Sequence, residues 1–183
     1  MLINQKILDS NKLDFIIRSA LESDAEQLSH IRLQIDGETE NLDREKGEGY
    51  IDEEGFKRLI QDDTQSRSNL FLVAVVHDKI VGFSRCEGSK LQRTSHKVEF
   101  GVCVLKDYWG YGIGKALLKE FIIWADSNAM KKMTLRVLET NDKAIKLYKK
   151  YGFEVEGILK KDKILSDGNY YNTILMGRFT ETE

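Results

Sequence analysis

The chain has 183 residues and a mass of 21.1 kDa, enough for one domain with a substantial core. Its 41% hydrophobic and 32% charged residues, formal net charge of −2 and pI near 6.0 are the balance of an ordinary globular protein, not the basic surface that nucleic acid calls for. No uncharged apolar run reaches the roughly 18 residues of a membrane span, and residues 1–13 lack a signal-peptide core, so a cytoplasmic protein is expected.

Proline is absent, so Gly, Asn, Asp and Ser must make the turns. Phe15-Ile16-Ile17-Arg18 reads as a first strand. Ser23, with Glu26 three residues later, has the pattern of a capping box and predicts a helix to about Leu33. From Asp36 to Glu54 nine carboxylates are set against only Arg44 and Lys46, which predicts a mobile acidic loop entering a second helix over 52–60. Residues 70–76 and 79–86 read as strands joined at His77-Asp78, and residues 97–104 as a third that stops before a glycine run. In 113–126 Leu117, Leu118, Phe121, Ile122, Ile123 and Trp124 exceed one stripe, so this helix is expected to lie buried on a sheet. Met133, Leu135 and Val137 alternate with Thr134 and Arg136 as a half-buried strand does. Asn141 is an N-cap candidate for a helix with Ala144, Leu147, Tyr148 and Tyr151 on one face, closed by Gly152 in the left-handed conformation. Strands over 153–160 and 170–179 flank the turn Ser166-Asp167-Gly168-Asn169. This order is that of an α/β fold.

Cys86 and Cys103 lie in strand-like apolar stretches, where a thiol acts as a small hydrophobe, and His30, His77 and His96 lack metal-ligand spacing; neither a disulfide nor a metal is expected. The run Trp109-Gly110-Tyr111-Gly112-Ile113-Gly114-Lys115 is different. Its glycines let backbone amides approach a ligand, and the helix that follows adds unpaired N–H groups and partial positive charge, a setting for a diphosphate. It is not a nucleoside-triphosphate loop, because Ala116 stands where a Ser or Thr must bind magnesium. Nor does its Gly-x-Gly-x-Gly spacing match the dinucleotide fingerprint. A tight strand-to-helix turn is the other reading of the same glycines.

Downstream, Asn141, Ala144, Leu147, Tyr148, Gly152 and Phe153 match the pattern Asn-x-x-Ala-x-x-Leu-Tyr-x-x-x-Gly-Phe. Together with Gly112 and Gly114, this resembles the GNAT family of N-acetyltransferases over about Phe15 to Phe179; Trp109 departs from the Gln or Arg usual in that family's phosphate loop. The resemblance implies a mixed, twisted sheet with flanking helices, splayed between its fourth and fifth strands, and acetyl-CoA as cosubstrate. It implies that the diphosphate rests on the amides of Trp109 to Lys115 and that the pantetheine arm pairs with the backbone of Val102 and Val104. Asn141, Ala144 and Tyr148 would line the other side. Tyr148 would be the general acid for the departing thiolate, and packing in the core is its alternative role.

For the general base, Glu99 is the candidate on the strand before the loop; a solvated surface position is its alternative, and Arg136 and Glu139 occupy the places used in other members. An alkyl ammonium of pKa ~10.4 carries a deprotonation deficit of ~4.6 kcal/mol at pH 7, whereas an α-amine of pKa ~8 needs about one unit. The acidic segment 36–54, where the family forms its acceptor wall, suggests a cationic acceptor such as a polyamine, or else only a solvated loop. The segment 156–160 with Gly168-x-Tyr170-Tyr171 looks like the subgroup of ribosomal-protein and phosphinothricin-type acetyltransferases. The expectation is therefore an acyltransferase moving acetyl to a primary amine of a polyamine or amino-acid-like molecule by direct attack. Acetylation of a protein N-terminus and a non-catalytic acyl-CoA sensor are the alternatives. A ping-pong route through Cys103 ranks low, and a homodimer covering an exposed sheet edge is expected.

Overall fold

The computed structural model of the chain defines residues 2–10 and 13–180, in which eight strands form one mixed sheet. The strands are β1 (Lys6–Ser10), β2 (Leu13–Ser19), β3 (Leu70–Val76), β4 (Lys79–Gly88), β5 (Lys97–Val104), β6 (Lys132–Leu138), β7 (Glu154–Ile164) and β8 (Tyr170–Phe179). The helices are α1 (Ala25–Glu38), α2 (Glu53–Gln65), α3 (Ile113–Ser127) and α4 (Asp142–Lys150). Sheet order is β1-β2-β3-β4-β5-β6-β8-β7, and only the β5–β6 pair is parallel. This is the expected α/β architecture.

The register explains which helix lies on which face. Phe71, Arg85 and Gly101 are paired across β3, β4 and β5 and so share a face, where Phe56 of α2 packs against Phe71. Phe100, one residue from Gly101, points the opposite way and meets Phe121 of α3 edge-on, with centroids 5.3 Å apart. β3, covered on both faces, is buried at every position, as its unbroken apolar run Leu70–Val76 requires. His77 and Asp78 both take positive φ (45° and 64°), the conformation of a two-residue primed hairpin turn, which Asp tolerates better than most residues.

Several boundaries differ from expectation. β1 was not anticipated, because it is a short edge strand whose Ile7 is exposed; Lys6 anchors it to buried Glu120 of α3 at 2.6 Å. The Ser23–Glu26 capping box gives way to a stronger acceptor. Asp24 takes the Leu21 amide at 2.8 Å and a bidentate contact from Arg18 at 2.6 and 2.8 Å. α1 runs five residues past the expected end, so Asp36 and Glu38 are helical rather than in a loop. α2 begins as expected, with Asp52 capping the Gly55 amide, and runs on to Gln65.

Candidate active site

β5 and β6, the fourth and fifth strands when counted from β2, pair for only three residues, Lys97↔Lys132, Val98↔Met133 and Glu99↔Thr134. Beyond that β5 stays with β4 to Val104 and β6 stays with β8 to Leu138, so the two part and leave a V-shaped opening. The Leu105 amide donates to Val81 at 2.9 Å, which fixes the parity of β5: the backbone groups of 101 and 103 face β4, and those of Val102 and Val104 face the opening. The Val104 carbonyl accepts from the Trp109 indole N–H at 2.7 Å. Trp109, the departure from the family pattern, therefore has a backbone role at the cleft mouth.

The glycine loop sits at the end of β5. Gly110 and Gly112 have φ of 87° and 85°, a region unfavourable to side chains, and a Cβ built on either would meet nothing within 4 Å. The loop is thus an open cradle rather than a turn closed by packing. The Ala116 amide makes the first helical bond, to Gly112 at 2.9 Å, so the amides of Ile113, Gly114 and Lys115 have no partner within the helix. The first turn of α3 contains no acid and carries exposed Lys115, a cation at the positive end of the helix dipole, which an anionic ligand would offset. Ile113 and half-buried Tyr111 pack inward and anchor the cradle. These features fit the diphosphate of acetyl-CoA.

Across the opening, Asn141 caps α4 by accepting the Ala144 amide at 3.3 Å, using only its side-chain oxygen. Gly152 (φ 83°) and the Phe153 amide, which donates to the Tyr148 carbonyl at 3.1 Å, close the helix. Tyr148 is 8% exposed, its ring tilted against Phe153. Burial pushes its phenol up to about 12, and negative charge on Cys103 acts in the same direction. Tyr148 belongs to the hydrophobic cluster against which Cys103 of β5 packs. Cys103, half-buried, has a thiol likewise pushed up to about 12 by burial.

Glu99 is exposed and lies where the two strands still touch. It borders an open groove of about 560 Å³ with Arg85, Glu87, Gly101 and Thr134, directly opposite Glu87. Arg85 is committed to Glu87 at 2.7 Å and to buried Asp63 at 2.5 Å, and among the described residues Glu99 makes no ion pair. Gly101, whose Cβ would meet nothing, keeps the floor of the groove open. Glu99 stands four residues, ~13 Å along the strand, from Cys103. The other places considered for a base are occupied. Glu139 takes both the backbone and the side-chain amide of Asn172 (2.7 and 2.8 Å), and Arg136 pairs with Asp162 at 2.9 Å.

The acidic segment is a strap rather than a free loop. Glu38 accepts the Lys106 amide at 2.7 Å, Glu40 the Ser166 amide at 2.8 Å, and Asp43 pairs with Lys163 at 2.6 Å. It thereby joins α1 to the β7–β8 hairpin across the parting. Asp36 holds Arg44, Glu48 takes the Glu45 amide, Asp52 caps α2, and Glu53 and Glu54 share Lys57. Beneath the strap, Arg32 is buried and donates to the Gly49 carbonyl at 2.6 Å. Arg32 and Asp36 stand in phase with Leu28 and Ile35 on the buried side of α1, a mismatch of charge and periodicity that is visible in the sequence.

Residues 35–153 match the model of the Acetyltransferase (GNAT) family. The chain is 37% identical over 108 residues to an L-amino acid N-acetyltransferase of Escherichia coli, a match covering 58% of this chain and 66% of that relative. A GNAT-family acetyltransferase of Streptococcus pneumoniae superposes with a TM-score of 0.87 at 26% identity, over 91% of this chain and 99% of the other. The Salmonella typhimurium protein yncA, solved with its cofactor acetyl-CoA, shares the fold at TM-score 0.81 and 18% identity, over 92% and 95% of the two chains. With the parted strands, the open glycine cradle and the matched segment in agreement, the chain belongs to the GNAT acetyltransferase family.

Proposed function

We propose that this protein transfers the acetyl group of acetyl-CoA to the primary amine of a small, amino-acid-like molecule by direct attack. The observation that carries the reading is the glycine cradle: two glycines at positive φ with open space beside them, opening onto three amides with no partner within the helix, at the end of a strand that has parted from its next neighbour. Trp109 to Lys115 would hold the diphosphate, the backbone of Val102 and Val104 the pantetheine arm, and Asn141 and Ala144 the opposite side. When bound, acetyl-CoA supplies an activated acyl group and a thiolate leaving group.

Tyr148 would stand ready to protonate that thiolate. A phenol at about 12 is mismatched with a solvated thiol near 8.5, but burial brings the Cys103 thiol to about 12 as well, and a leaving thiolate beside it would feel a similar burial. The proton donor and its acceptor then have similar pKa values. Glu99 would receive the ammonium proton through water, since it lies too far along β5 for direct contact. The α-ammonium of a free amino acid is held above the ~8 of a peptide N-terminus by its own carboxylate but still titrates below an alkyl ammonium of ~10.4, so the demand on Glu99 is smaller than a polyamine would make. The E. coli relative, an L-amino acid N-acetyltransferase, supports an amino-acid acceptor.

The test is to incubate the protein with acetyl-CoA and a panel of L-amino acids, polyamines and short peptides, following thiol release and product mass. Acetylated amino acid is the expected product. Acetyl-CoA binding without transfer to any amine would instead favour a sensor.

A further inference from the structure

The acidic strap suggested a cationic acceptor, yet the charge beneath it has the opposite sign. Arg32 and Asp36 are one turn apart on the side of α1 that faces the sheet, and both are more than nine-tenths buried. Arg44, from the strap, reaches Asp36 with two contacts of 3.1 and 3.3 Å. Among the described residues Arg32 has no carboxylate within ion-pair distance, its one hydrogen bond being to the Gly49 carbonyl. Two guanidinium groups therefore lie close to one carboxylate, which pairs with Arg44 alone. They converge at Gly49, where a Cβ would lie 3.8 Å from Arg32 Nη2 and 3.7 Å from Arg44 Cδ.

This cluster belongs to the candidate site. Cys103 shares its face of β5 with Gly101, the face on which α2 packs through Phe56 and Phe71 with α1 beside it, and it packs against the hydrophobic cluster that contains Tyr148; a negative charge placed there would act on Arg44, Asp36 and Arg32. A buried guanidinium with unfilled donors and no counter-ion is costly, and burial, followed by repulsion from Arg44, pulls Arg32 below its ordinary value. A carboxylate entering beneath the strap would accept the free N–H groups and neutralise the excess charge.

We propose that Arg32, backed by the Arg44–Asp36 pair, binds the carboxylate of the acceptor and restricts acetylation to free α-amino acids over polyamines and amines that lack an acid group. This rests on the acetyl-transfer reading and names the acceptor's second recognition group. Arg32 is a specificity residue, with no part in proton transfer.

The experiment measures kcat/KM on the full chain for a panel of L-amino acids and polyamines. Every amino acid turned over is then compared with its carboxamide and with the amine lacking only the carboxylate, for instance L-leucine, L-leucinamide and isoamylamine. Calorimetry of acetyl-CoA is run alongside. The wild type is expected to favour the free acid by on the order of 100-fold. That ratio should collapse in Arg32→Gln, survive in part in Arg32→Lys and fall less steeply in Arg44→Gln, with the main change in acceptor KM. Should Arg32→Gln be insoluble, the wild-type ratio and the partly exposed Arg44 decide the matter. Equal use of acid and carboxamide, or a ratio untouched by the Arg32 and Arg44 variants, overturns this inference alone, because transfer itself is still seen; preference for polyamines overturns it together with the amino-acid-like acceptor. Transfer to no amine at all overturns the acetyl-transfer reading, and the inference with it.

Discussion

Burial pushes the phenol of Tyr148 and the thiol of Cys103 both to about 12, so at neutral pH each keeps its proton. For Tyr148 that is the state a proton donor needs. For Cys103 it is disabling, since thiolate would be on the order of one molecule in 10⁵ at pH 7. Tyr148→Phe keeps the ring against Phe153 and removes only the hydroxyl, and it is expected to lower kcat by about 10²–10³-fold while leaving the acetyl-CoA KM nearly unchanged. Undiminished turnover would remove Tyr148 from the chemistry. Cys103→Ala should keep its activity, and intact-protein mass spectrometry after acetyl-CoA treatment should show no acetylated enzyme; a stable acetyl adduct on Cys103 would revive the ping-pong route.

At the level of elements, the cleft comes from two strands that begin parallel and then follow different partners, β5 with β4 and β6 with β8. The glycine loop then directs the α3 N-terminus at the end of the exposed edge. Gly112→Ala tests both properties of that loop, because a Cβ at φ 85° carries roughly 1–2 kcal/mol of strain and would project into the cradle. We expect the acetyl-CoA KM to rise about tenfold or more with a smaller change in kcat. Calorimetric binding equal to wild type would mean that the cradle holds no part of the cofactor. Asn141, the glycine run and the α4 face were legible in the sequence because capping, left-handed turns and helical periodicity are local. The acidic segment was misread as mobile because its partners, Lys106, Lys163 and Ser166, are distant in the chain.

Across the whole molecule, the buried protons make a prediction about alkaline stability. In the unfolded chain the two thiols ionise near 9.0 and Tyr148 near 10.0, whereas the native protein holds Cys103 and Tyr148 protonated to about 12 and Cys86 well above its ordinary value. The native state therefore binds more protons over that interval. Stability is fully present below pH 9 and is lost as pH rises toward 12, by up to ~1.4 kcal/mol per unit for each group. Urea unfolding should show a fall on the order of 2–4 kcal/mol between pH 8 and pH 10.5, reduced in the Cys86→Ala, Cys103→Ala double variant. An unchanged midpoint would mean that these groups are not buried as described.

The sequence by itself determined the order of strands and helices from β2 onward, the glycine loop, the Asn141 cap and the family pattern, because each depends on residues within a few positions of one another. It also held, unread, the two charges on the buried side of α1. Only the tertiary structure decided that the backbone of Val102 and Val104 faces a parting of strands, that Glu139 is committed to Asn172, and that the acidic segment is tied down over the buried Arg32. Those features arise from pairings between distant segments, where sheet register and burial decide which groups meet. Charge counted along the chain gave the acidic segment one sign, and folding brought its Arg44 and Asp36 together with the buried Arg32 of α1.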